Sequence, residues 1–171
     1  MPRILIIGCS GSGKSTLAKQ IASACRLPYI NTDALYWNSD WSVVPTETVL
    51  AAIDFEAENY VLDGNFASSR EQVWRAVDII VWLDYGLPLV LYRLFFRNMR
   101  WWLSDASPWT GKRMSFRRAC AGLWHGFRSH GKKRTAYPGY LMDFPDKEIH
   151  RISSKKERTL LLNALSTRFG F

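Results

Sequence analysis

Gly8, Cys9, Ser10, Gly11, Ser12, Gly13, Lys14 and Ser15 have the spacing Gly, four residues, Gly-Lys-Ser, an arrangement that holds the phosphates of a nucleoside triphosphate. The chemistry explains the residue types. Glycines let the backbone curl until successive N–H groups point inward at phosphate oxygens, over the positive end of the helix that follows. Lys14 is then placed to reach the β and γ phosphates of ATP, and the Ser15 hydroxyl to ligate Mg²⁺. The expected nucleotide-binding residues are Gly8, Ser10, Gly11, Ser12, Gly13, Lys14, Ser15 and Thr16. Cys9 holds a free position of the loop, where a helix N-terminus can acidify a thiol; a small tolerated filler is the simpler reading.

Three acidic residues compete for the remaining roles. Asp33 follows the short apolar run at 27–30, and strand ends are where the sites of α/β proteins gather. It is a candidate catalytic base or Mg²⁺-shell carboxylate, and equally a candidate helix N-cap. Asp63 ends the run Tyr60, Val61, Leu62, a position suited to holding water around Mg²⁺, with Gly64 behind it to let a substrate approach the backbone. Asp-Gly-Asn is also ordinary turn chemistry. Asp84 closes the buried run at 77–83 and rivals Asp63 for the metal.

Arg93, Arg97 and Arg100, at i, i+4 and i+7, share one face of a helix opened by Gly86, Leu87 and Pro88. Beyond a loop at 103–111 come Lys112, Arg113, Arg117 and Arg118, then Leu123, Trp124 and Phe127 on a second helix. Two arginine helices around a loop can close as a lid over a triphosphate and supply charge to the transferring phosphoryl group, with Arg113 and Arg117 as the expected catalytic arginines. The blander reading is a solvated basic face. Residues 86–135 hold 11 Lys or Arg against Asp105 alone, a net +10, while the remainder has 12 basic and 14 acidic residues, a net −2, so the +8 of the chain is regional. Such charge also suits nucleic acid or anionic lipid.

These residues need a frame. Ile4, Leu5, Ile6 and Ile7 read as a buried strand and 16–21 as an opening helix, with further strands at 27–30, 60–62, 77–84 and 147–152. Helices are expected at 45–58, 69–76 and 86–103, and after the capping box formed by Ser154 and Glu157. The alternation predicts an α/β fold, a five-stranded parallel sheet with helices on both faces. The 171 residues are expected to form one domain, with 86–135 as a basic lid or insert. The apolar segment 87–103 carries Arg93, Arg97 and Arg100 and fails as a membrane span. Cys9, Cys25 and Cys120 form no CxxC pair and fit reduced thiols in a cytoplasm, and His125, His130 and His150 lack metal-ligand spacing.

On the loop 8–15, Asp33-Ala34-Leu35-Tyr36-Trp37, Val61-Leu62-Asp63-Gly64-Asn65, Val81-Trp82-Leu83-Asp84 and Leu91-Tyr92-Arg93, the chain resembles the adenylate-kinase-like P-loop kinases, the group of nucleoside monophosphate kinases and shikimate kinase. It is more similar still to small bacterial DNA topology modulation proteins and uncharacterised adenylate-kinase-like ATPases. The resemblance implies a Mg²⁺-dependent ATP phosphotransferase acting on a small acceptor, with a nucleoside monophosphate kinase-like fold. It matches Asp63 to the acidic residue of the adenylate kinases' Asp-Gly motif, which favours Asp63 over Asp84 for the metal, and sets the arginine-rich segment where their lid stands. The chain departs from that pattern after Gly64. Asn65, Phe66, Ala67, Ser68, Ser69 and Arg70 stand where adenylate kinases have an aromatic, Pro and Arg, so AMP recognition does not carry over. The closer group implies an alternative, an ATP-regulated protein gripping DNA phosphates through the basic region, although no helix-turn-helix or zinc-finger pattern is present.

Overall fold

In the computed structural model, which describes residues 2–38, 42–103 and 115–170, the wholly apolar run Ile4, Leu5, Ile6, Ile7 is inaccessible to solvent. A strand buried on both faces needs such a continuous run rather than an alternating one. This strand, β1 (Arg3–Gly8), is central: it pairs in parallel with β3 (Tyr60–Asp63) on one side and β4 (Ile79–Leu83) on the other. β2 (Tyr29–Asn31) joins the far edge of β3, and β5 (Glu148–Ile152) joins β4, giving five parallel strands in the order β2-β3-β1-β4-β5. Ile6 lies opposite Asp63, Asn31 opposite Asp63, and Gly8 opposite Leu83. That register carries the phosphate loop and the three candidate carboxylates to one edge of the sheet.

The two faces bury different helices. Ile4, Ile6, Val81 and Leu83 pack with α1 (Lys14–Cys25), α7 (Lys155–Phe169) and the inner side of α5 (Leu87–Leu103), where Val90 and Leu94 are fully buried. Leu5, Ile7, Leu62, Ile80 and Trp82 face the other way, toward α4 (Arg70–Ala76) and Tyr137 and Leu141 of α6 (Phe116–Met142). The inner side of α5, through Val90 and Leu94, and Tyr137 and Leu141 of α6 thus pack into the core, while Tyr92, Phe96 and Leu103 of α5 stay exposed.

Three elements differ from the sequence expectation. The helix expected over 45–58 is α3 (Thr46–Ala51), because the Ile53 N–H turns to the Leu50 carbonyl and the Asp54 carboxylate accepts the Glu56 N–H at 3.1 Å, a local turn that competes with helix. Asp33, a candidate helix N-cap, lies inside a short helix, α2 (Thr32–Tyr36). α6 runs to Met142 through Pro138. An internal proline costs about 3 kcal/mol, which burial of Tyr137 and Leu141, at about 1.5–3 kcal/mol each, offsets. The capping box at the start of α7 forms as expected, with Ser154 Oγ accepting the Glu157 N–H at 3.2 Å.

Candidate active site

The phosphate loop owes its path to backbone that only glycine adopts freely. Gly11 and Gly13 have φ of 81° and 95°, and Gly13 caps α1 in the left-handed conformation. A methyl group on Gly11 would also lie 2.5 Å from Leu94 Cγ, so α5 is packed directly on the loop. Asn98 Nδ2 donates to the Ala119 carbonyl at 2.9 Å, and Gly126 leaves room for Leu94, which seats α6 closely against α5 and holds α5 in place. Lys14 is buried, and its Nζ donates to the Cys9 carbonyl at 3.3 Å, folding the ammonium back over the loop. Burial pushes the Cys9 thiol up against the opposing charges of Lys14 and Lys133. The residue is therefore a packed filler and not an acidified thiol.

The carboxylates separate cleanly. Asp63 is 1% exposed; its Oδ2 accepts from the Tyr29 hydroxyl at 3.3 Å, and its Oδ1 has no hydrogen-bond partner among the described residues. Burial raises its pKa, opposed by the charge of Lys14 and by the Ser15 hydroxyl. Asp84 is equally buried, but both its oxygens are taken: Arg134 Nε stands 3.3 Å from Oδ1 and Arg151 Nε donates to Oδ2 at 2.9 Å. Asp33 is not the cap of α2, whose N-cap position belongs to Asn31, and it lines the same cavity as Lys14. Gly64 has a reason other than substrate approach, since a methyl group there would collide with Thr32 Oγ1, which donates to the Asp63 carbonyl, and would come within 2.9 Å of Phe66 Cε2.

A cavity of about 580 Å³ opens over the loop, lined by Lys14, Ser15 and Asp33 together with Arg93, Arg97 and Arg158. Arg93 lies over the Tyr85 ring, 4.7 Å from its centre, and donates to the Ser12 carbonyl at 3.0 Å. Arg97 lies 4.7 Å over the Trp101 ring and donates to Ser10 Oγ at 3.3 Å, while its buried Nε finds no partner among the described residues. Burial lowers the Arg97 pKa, with Asp33 opposing it. The arginines beside the phosphate loop therefore come from α5. Of the two expected from the lid, Arg117 is exposed in the first turn of α6 and does not line the cavity, and Arg113 lies outside the described residues. The i, i+4 spacing of Arg93 and Arg97 was visible in the sequence; that their helix packs onto Gly11 was not. Lys133 and Tyr137 of α6 are further residues that sequence reasoning missed.

A phosphate loop after the central strand of a five-stranded parallel sheet, covered by helices on both faces, defines the chain as an α/β P-loop protein with the fold of the P-loop kinases. No protein-family model matches it. Over 59 residues it is 44% identical to a cytidylate kinase of Chlamydia trachomatis serovar D, a match covering 30% of this chain and 27% of that protein. Over 125 residues it is 31% identical to an adenylate kinase of Haloarcula marismortui, covering 57% of this chain and 58% of the relative. The matches thus span about a quarter of the length of the first and under two thirds of the second. A solved gluconokinase of Sinorhizobium meliloti 1021 superposes with a TM-score of 0.55 over 98% of this chain and 94% of its own, at 20% identity, a likeness of fold. No helix among the described residues is long and apolar enough to cross a membrane.

Proposed function

We propose that the protein is an ATP-dependent small-molecule kinase, acting as one unit in which residues 86–135 cover the triphosphate. The observation that carries this reading is the placement of Lys14, Arg93 and Arg97 around one cavity at the phosphate loop, with Arg97 Nε left without a partner among the described residues. Phosphoryl transfer needs positioning and charge stabilisation more than covalent chemistry. Loop N–H groups and Lys14 bind the β and γ phosphates, and Arg93 and Arg97 hold charge on the transferring group. For a hydroxyl acceptor, Asp33 takes the proton as the acceptor oxygen bonds to the γ phosphorus and the bond to the β,γ-bridging oxygen breaks, leaving ADP. The likeness to cytidylate and adenylate kinases supports phosphotransfer as the reaction class, and the free thiols of Cys9, Cys25 and Cys120 support a cytoplasmic setting.

Ser15 and Asp63 fit Mg²⁺, because Asp63 Oδ1, near the loop hydroxyl, is a buried carboxylate oxygen without a partner among the described residues. When bound, the ion offsets charge on the phosphate oxygens. A raised carboxyl pKa means that folding stability is full below the ordinary carboxylate value and is lost as pH rises through the raised one. Asp63→Asn removes that loss. At pH 8 the ligand-free variant is expected to melt above the wild type, while its stabilisation by Mg²⁺ and an ATP analogue shrinks. Asp84→Asn, which weakens two arginine pairs, is expected to lose about 1–3 kcal/mol of stability with an unchanged Mg²⁺ requirement. Thermal denaturation and Mg²⁺ titration of activity check both; a larger metal shift in Asp84→Asn exchanges the roles.

The direct test of the kinase reading is Mg²⁺-dependent ADP formation across nucleotides, sugars and ring acids, against the acceptor-free rate. Stimulation by at least one acceptor is the expected outcome, and none at all refutes phosphotransfer. A second reading, an ATP-regulated protein that binds DNA, is favoured by the basic 86–135 region and by Tyr92, Phe96 and Trp124, exposed on α5 and α6 where bases can stack. It also accords with the resemblance to DNA topology modulation proteins.

A further inference from the structure

A second cavity, of about 350 Å³, lies between the chain after β3 and the outer half of α6. Its charged lining is Arg70, Lys132 and Lys133, without a carboxylate, and none of the three is in an ion pair among the described residues. Arg70 is fixed: its guanidinium lies 3.4 Å over the centre of the Tyr140 ring and 5.9 Å from that of Trp74. Such stacking leaves the in-plane N–H groups free for an anion. The opposite wall is Tyr137, held by a bond of 2.9 Å from its hydroxyl to Asn65 Oδ1, which also accepts the Gly8 N–H at 3.0 Å. Asn65 thereby ties this cavity to the base of the phosphate loop, and the two accepted bonds fix which way its amide faces.

The turn that presents Asn65 is strained. Phe66 has φ of 48° and is 3% exposed, a left-handed conformation that its burial enforces. Lys133 connects the two cavities electrostatically. Its pKa is pushed down to about 8 by burial and by the charge of Lys14, with Cys9 and Asp33 only partly opposing. Clustered cations without a counter-charge are stabilised by any anion that enters between them.

We propose that this cavity binds the phosphoryl acceptor, and that the acceptor is a small molecule carrying an oxyanion on a flat ring. The oxyanion meets Arg70, Lys132 and Lys133, and the ring lies against Tyr137 and Tyr140, which give it an aromatic wall. The size favours one ring with one anionic group. Only the word acceptor rests on the kinase reading; the affinity of the cavity for a ring oxyanion does not.

The test uses the full chain with Mg²⁺ and a non-hydrolysable ATP analogue filling the phosphate loop. Phenyl phosphate, benzoate, phenol and inorganic phosphate are titrated by calorimetry, with hydrogen exchange locating the site. Phenyl phosphate and benzoate are expected to bind at least about tenfold more tightly than phenol, the scale of one charge-assisted hydrogen bond, and to protect residues 65–70 and 132–140. Arg70→Met and, as a second variant at a more exposed position, Lys132→Met are expected to weaken them by about tenfold without altering affinity for the ATP analogue. Equal binding of phenol overturns the anion assignment, equal binding of inorganic phosphate overturns the ring, and unchanged affinity in both variants overturns the site. The two readings fail separately. Binding of the probes in this cavity with no ADP formation from any acceptor sinks the kinase reading and keeps the site, whereas ADP formation from neutral polyols with no probe binding does the reverse.

Discussion

Lys14→Ala is expected to lower single-turnover phosphotransfer by about 10²–10³-fold, the scale of removing one preorganised charge from the developing transition state. The structure gives this number its basis. Lys14 is 9% exposed, and its Nζ donates to the Cys9 carbonyl at a long 3.3 Å, so an ammonium that gains a triphosphate partner gains far more than it gives up. The fold does not depend on it: α1 is capped by the backbone of Gly13, and its core contacts come from Leu17, Ala18 and Ile21. Circular dichroism and melting temperature of the variant are therefore expected to stay near wild type while ADP formation collapses. Near-wild-type transfer in a folded Lys14→Ala protein would remove the loop from catalysis.

That expectation could be written from sequence because the motif is local. Whereas the register of β1 against β3 and β4 is a tertiary feature that the separate apolar runs do not express, eight adjacent residues and the buried run before them contain both the loop and its support. The same holds at Ser154 and Glu157, where a cap needs only neighbours. Features set by tertiary contact were illegible. Gly64 looked like an opening for substrate and is a seat for Thr32; Asp84, the rival of Asp63 for the metal, carries two arginines from α6 and β5. Helix α6 passes Pro138 because Tyr137 and Leu141 are wanted in the core, a demand that only the packed sheet expresses. Lys133, Tyr137 and Tyr140 do share one helical face at i, i+4 and i+7, and that spacing was the available signal. It acquires a meaning only when Arg70 and Asn65 are brought opposite it.

The arginines show the same limit and lead to the second large effect. Arg97→Ala is expected to lower single-turnover phosphotransfer at saturating ATP on the order of 10³-fold, by comparison with arginine fingers. Arg117→Ala, at an exposed position that does not line the cavity, is expected to keep near-wild-type transfer and near-wild-type stability, since surface substitutions of this kind seldom change stability by more than ~0.5 kcal/mol. Arg97→Lys separates charge from shape. It keeps the cation, but it loses the planar fork that stacks on Trp101, reaches Ser10 and leaves Nε free for a phosphate oxygen; if the fork matters, this variant recovers only a small part of the lost rate. The DNA-binding reading orders the same residues differently, because duplex binding draws on exposed cations and falls steeply with salt. Under it, Arg117→Ala and Arg128→Ala would weaken DNA binding and reduce its salt slope while Arg97→Ala left it untouched. Full turnover in Arg97→Ala together with DNA binding that persists at physiological salt and is lost in Arg117→Ala would overturn the placement of the transferring phosphate beneath α5.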